Sequence, residues 1–173
     1  MDFGGINNLG PYLKTLKEIS GYEDVKTIVI VRDAESNPDD AIKSIKNALK
    51  SNGFSVPREP FAFAKGPPRV AFMVLPGFES DSRNNAVLSK GTLEDLCLWM
   101  TVNDPVHECV TLYINCLKGK KIKVAHPHKT RLHSYLSGKD NFVGLKIGEA
   151  AKAGAWDWNH PKLSIFGETI KKM

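Results

Sequence analysis

The chain has 173 residues, 42% of them apolar and a quarter charged, with a formal charge of +5. That composition excludes a disordered chain, and no apolar run approaches the ~20 residues that a bilayer-spanning helix needs. A single compact domain over residues 1–173 is the expectation, since this length can bury one substantial core.

In chain order, the first element is a short helix over Tyr12–Ile19, with Leu13, Leu16 and Ile19 as its apolar stripe. The β-branched run from Val25 to Arg32 then predicts an interior parallel strand, because near-continuous Val and Ile suit a surface buried on both sides. Asn37 and Pro38 next supply an N-cap and a first helical residue, with Asp39 and Asp40 at the positive end of the dipole. Ala41, Ile42, Ile45, Ala48 and Leu49 repeat at helical spacing, and Asn52-Gly53 closes the helix at 38–51. Phe54–Pro57 reads as a short extended segment and Arg69–Leu75 as a second strand, ended by Pro76-Gly77. Residues 77–90 are polar and read as an irregular loop. Thr92 and Asp95 then form a capping-box pattern, Pro105 opens a helix through Leu117, and His128–Gly138 reads as another after Pro127. A Gly-bounded segment at 144–153 and a terminal helix from Pro161 complete an α/β pattern with a helical C-terminal part.

The strand at 25–32 empties into Asp33 and Glu35. In open α/β sheets ligands bind beyond the carboxyl ends of the strands, so these two acids are candidate ligands, whereas Asp39 and Asp40 read as capping residues. Glu94 could reach the same edge from the loop after the second strand, or it could simply favour the start of its own helix. Three such carboxylates would suit a hydrated Mg²⁺ or Mn²⁺.

Charge distribution supplies the second candidate. No acid lies between Glu108 and Asp140, yet Lys118, Lys120, Lys121, Lys123, Lys129, Arg131 and Lys139 all do. Such local positive potential suits a phosphate backbone, DNA or RNA, and it also suits a plain solvated face. Other residue types carry less. His126, His128 and His133 do not have zinc-motif spacing, and His107 and His160 read as neighbours of helix starts. Neither a phosphate loop nor a Ser-His-Asp set is present. Trp99 reads as core, and Trp156-Asp157-Trp158 as a hydrophobic clasp with base stacking as the alternative. Cys97, Cys109 and Cys116 are an odd set without a C-x-x-C pair, which points to a reducing cytoplasm, with Cys109 and Cys116 as core residues on one helical face. Met1-Asp2-Phe3-Gly4-Gly5 has neither a basic start nor an apolar core, so no secretory signal is expected.

Three groups of residues carry a resemblance: Gly4-Gly5-Ile6-Asn7-Asn8-Leu9, the strand ending Asp33-Ala34-Glu35, and Gly91-Thr92-Leu93-Glu94. Together with Lys129–Lys139 and Gly148-Glu149-Ala150-Ala151, they make the chain resemble an uncharacterised prokaryotic family of TOPRIM-like domains, distant relatives of the OLD-type nuclease domain. The resemblance implies a Rossmann-like, three-layer domain with a mainly parallel sheet. It also implies that Asp33 stands for the first acid of a D-x-D pair and Glu35 for the second. TOPRIM domains carry a further Glu after an earlier strand. That strand and Glu have no counterpart before Gly4, so an open sheet edge and a homodimer through it are expected.

Three functions follow as expectations. One is a divalent-metal and nucleic-acid-binding TOPRIM-like domain. The second is a non-catalytic interaction module of the same kind. The third is a small phosphohydrolase or nucleotide-binding enzyme.

Overall fold

A computed structural model describes residues 5, 7–80, 83 and 85–173. Part of the glycine motif, at Gly4 and Ile6, lies outside the described residues, as do three positions of the 77–90 segment. The α-helices are α1 (Leu9–Leu16), α2 (Pro38–Ser51), α3 (Leu93–Trp99), α4 (Val106–Gly119), α5 (Pro127–Ser137), α6 (Ile147–Lys152) and α7 (Ser164–Lys171). The strands are β1 (Thr27–Asp33), β2 (Phe63–Ala64), β3 (Arg69–Leu75), β4 (Phe78–Ser80) and β5 (Ala86–Leu88). They form two compact units, residues 1–90 with 164–173, and residues 91–163.

The first unit holds a three-stranded sheet in the order β1-β3-β2. β1 runs parallel to β3, with Ile30 beside Phe72 and Asp33 beside Leu75, and α2 makes the crossover between them. β2 is antiparallel to β3, pairing Phe63 with Ala71. β4 and β5 form a separate antiparallel pair. The expected mainly parallel, Rossmann-like sheet is therefore not what forms. Among the described residues there is one parallel pair beside two antiparallel ones, with seven α-helices. The physical reason is the stretch between α2 and β3, whose Pro57, Pro60, Pro67 and Pro68 leave room for only a two-residue strand, and that strand returns antiparallel.

A second correction concerns β1. It was expected to be an interior strand and instead lies at the sheet edge, while β3 holds the middle. Lys26 and Ala34 direct their backbone hydrogen bonds toward β3, accepting from Arg69 N–H at 2.9 Å and donating to Leu75 O at 2.8 Å. By strand alternation, Thr27, Val29 and Val31 turn theirs to the outer edge. Val31 is 43% exposed, whereas β3 is buried from Val70 to Leu75. The 77–90 segment, expected as irregular, carries the β4–β5 pair, and the expected extended segment at 54–57 forms no strand.

Local signals fared better. Asn37 caps α2 by accepting from Asp39 N–H at 3.0 Å, and its amide donates to Asp40 at 2.8 Å. Ala41 of α2 is buried, and Ile45 and Leu49 pack in one cluster with Leu9, Leu13, Ile30, Val70, Phe72 and Val74, although Ile28 and Ile42 are only partly buried. α7 joins this unit through Phe166, whose ring meets Phe61 edge-on at 5.1 Å. That ring also crowds Gly77. The residue has φ of 101°, and a Cβ there would lie 3.1 Å from Phe166. Gly77→Ala is therefore strained in backbone and in space, with an expected loss of about 1–3 kcal/mol readable as a lowered urea midpoint.

In the second unit, α3, α4, α5 and α6 enclose Cys97, Val110, Ile114, Leu132, Tyr135, Leu136, Ala150 and Trp156. Cys109 and Cys116, expected in the core, are both exposed. They do share one face of α4, but Val110 and Ile114 on another face are the buried ones. The clasp at Trp156-Asp157-Trp158 is half realised, since Trp156 is buried and Trp158 is 64% exposed. Trp99 is partly buried, with the Lys162 ammonium 4.4 Å from its ring centroid.

Candidate functional site

The three carboxylates expected to hold a metal do not share a unit. Asp33 ends β1 and Glu35 follows it in the first unit, while Glu94 sits in the first turn of α3 in the second. Glu35 is exposed and adopts a left-handed backbone with φ of 55°. Glu94 is 6% exposed. Among the described residues no group of three or more His, Cys, Asp or Glu side chains is placed to hold a metal ion.

A cation of the chain itself precedes the first two acids in sequence. Arg32 is buried and places Nη1 3.5 Å from the carbonyl of Ala41 in α2. Burial pulls its pKa below the ordinary guanidinium value, while the charges of Glu35 and then Asp33 work against that loss. The two acids at the end of β1 thus help to keep charged a guanidinium that desolvation alone makes costly. The sequence sets the Asp33–Glu35 pair at a strand end but gives no sign that the arginine before them is buried.

The basic candidates form a more coherent set. Lys118 lies in the last turn of α4, Lys120, Lys121 and Lys123 in the turn that follows, and Lys129 and Arg131 in the first half of α5. All six are exposed, and among the described residues none of them makes an ion pair with a carboxylate. Lys121 has a left-handed backbone with φ of 58°, which turns the chain sharply between the two helices. Lys139, the remaining cation of the acid-free stretch, is different. It pairs with Asp104 and is spent inside the unit.

Two polar networks escaped sequence reading. Asp95 accepts from Thr92 N–H at 2.8 Å, the capping box that the sequence announced, and it also holds His128 Nδ1 at 2.9 Å, tying α3 to the start of α5. Asp104 accepts from Val106 N–H at 3.0 Å and from the Tyr135 hydroxyl at 3.2 Å in addition to its pairing with Lys139. His107 stacks on the Tyr135 ring at 4.9 Å and meets Thr101 Oγ1 through Nε2 at 3.0 Å. His160, read as a neighbour of a helix start, accepts from Lys162 N–H at 3.1 Å. The long-range partners lie 31 and 33 residues apart, a separation for which no local pattern gives a signal.

No curated protein and no solved structure matches the chain. Residues 2–173 match DUF3226, described as a protein of unknown function, and the chain belongs to that family.

Proposed function

We propose that this protein binds the phosphate backbone of nucleic acid through the turn between α4 and α5, without catalysing a reaction on it. One observation carries the reading. Lys118, Lys120, Lys121, Lys123, Lys129 and Arg131 are exposed across the end of α4, the segment after it and the first half of α5, with no carboxylate paired to any of them among the described residues. Six like charges without internal partners are costly to gather, and a polyanion relieves them while releasing its condensed counterions. Arginine and lysine contacts of this kind fix a backbone but read no bases, so sequence preference should be weak.

Fluorescence anisotropy with labelled single-stranded and duplex oligonucleotides tests this reading across a salt series. The logarithm of the binding constant should fall linearly with the logarithm of salt, with a slope of about 0.9 per duplex phosphate engaged. Replacing Lys120, Lys121, Lys123 and Arg131 together by Gln should weaken binding at least about tenfold and flatten the slope by several contacts. Binding that ignores salt, or a quadruple variant that binds like the wild type, would refute the assignment. Polyglutamate bound as tightly as the oligonucleotides would move the reading to acidic protein partners.

A further inference from the structure

The basic segment lies at one end of a groove. α4 and α5 run antiparallel, with Val106 at the start of α4 against the end of α5, where a Cβ added to Gly138 would lie 2.7 Å from it. Seven residues along each helix is a rise of roughly 10 Å, which brings Tyr113 of α4 level with Arg131 of α5. Between the two helices runs an open groove of about 540 Å³, with Tyr113 and Thr130 among its walls near that level and Val106 and Gly138 at the other end.

Ring and hydroxyl side chains line much of it. Tyr113 is 49% exposed, and His133, Ser134 and Ser137 border the same space from α5. Lys129 and Arg131 are exposed within one turn of the Tyr113 level, and the exposed Lys120, Lys121 and Lys123 lie in the segment that joins the helices at that end. Cations and a surface ring thus meet at one end of the groove, the combination by which proteins hold unpaired nucleotides. In a duplex the base faces are stacked on one another and closed to such a ring, whereas a single strand turns them outward.

We propose that the groove between α4 and α5 takes bases of single-stranded nucleic acid, with Tyr113 as the stacking surface and the segment 120–131 on the phosphates. This occupancy rests on the backbone binding proposed above and decides what that leaves open, a single strand or a duplex. The hydroxyls of Ser134 and Ser137 both donate and accept, so they serve the edge of any base. A ring likewise stacks on every base, so the groove favours unpaired bases without reading their order. Trp158 is the more exposed ring, at 64%, but it is not among the residues that line this groove.

Anisotropy with three labelled probes of one length tests the proposal on the full chain: a single strand, its duplex, and a strand made abasic throughout. The wild type should bind the ordinary single strand at least about fivefold more tightly than the abasic one, the factor that one stacked base supplies. The salt slopes of those two strands should agree, because their phosphates are the same. Tyr113→Ala should lose that factor on the ordinary strand and leave abasic and duplex binding unchanged. Tyr113→Phe keeps the ring and should bind like the wild type. Circular dichroism checks that the alanine variant is folded, and the abasic comparison needs no variant at all.

Equal binding of ordinary and abasic strands by the wild type would overturn the proposal. So would a folded Tyr113→Ala that binds the single strand like the wild type, or one that loses duplex binding to the same extent. Loss on Trp158→Ala with none on Tyr113→Ala would move the stacking surface out of the groove. All of these outcomes leave salt-dependent backbone binding standing, whereas a wild type that binds none of the three probes removes both readings together.

Discussion

Phe72→Ala should cost about 3–5 kcal/mol, enough to remove a large part of the 5–15 kcal/mol that holds an ordinary domain folded. Phe72 is wholly buried in the middle of β3, beside Ile30 of β1, and its carbonyl accepts from Phe61 N–H at 2.7 Å. The side chain belongs to one packed cluster with Ile45 and Leu49 of α2, so its truncation opens a cavity in the core shared by sheet and helix. Val31→Ala, on the neighbouring strand of the same sheet, should cost no more than about 1 kcal/mol because 43% of that residue stays in water. Urea unfolding followed by far-ultraviolet circular dichroism compares the two. Equal shifts in midpoint for the two variants would show that the sheet does not carry its core where β3 crosses α2.

The contrast between Phe72 and Val31 also shows what the sequence could and could not convey. Thr27–Val31 and Val70–Leu75 are both rich in β-branched and large apolar residues, and both are strands. Which of them lies in the middle depends on β2, two residues long and fenced by prolines, and no periodicity announces a segment so short. The reading of a mainly parallel sheet failed at that point, because a buried and an edge strand of this composition look alike until the partner is known. Helix α2 and the start of α3 were legible for the opposite reason. Asn37 with Pro38, and Thr92 with Asp95, act within four residues of chain, where sequence and geometry are nearly the same thing.

The candidate site divides along the same line. The exposure of Lys118 to Arg131 could be read from the sequence because no acid lies near them in the chain. Arg32 was equally visible, yet its burial against α2 was not. Cys109 and Cys116 show the converse limit. Spacing placed them correctly on one face of α4 but could not say which face would be buried, since Val110 and Ile114 make an equally apolar stripe next to them.

Asp104→Ala should cost about 1.5–3 kcal/mol, although Asp104 lies on a surface loop between α3 and α4, where substitutions are usually mild. The carboxylate accepts from Val106 N–H, which starts α4, and from the hydroxyl of Tyr135, a residue only 2% exposed. Its removal takes charged acceptors from both donors and leaves Lys139 without its counter-charge. Asp104→Asn retains an acceptor and should lose less. The dependence on pH follows from the direction of the shifts. The bond from Lys139, then that from Val106 N–H, hold the Asp104 carboxyl below its usual range, against a smaller opposing effect of desolvation. A group lowered on folding contributes stability above its unfolded pKa and loses it as pH falls through the folded value. Lys139 is raised, first by its bond to Asp104, so its contribution is present below the unfolded lysine range and is lost as pH rises through the folded value. The stability difference between wild type and Asp104→Asn should therefore be flat from roughly pH 5 to 9 and shrink beyond both ends. Urea midpoints for the two proteins across that range decide the matter. A difference that grew steadily toward acid would mean that Asp104 is not held as a carboxylate by Lys139 and the start of α4.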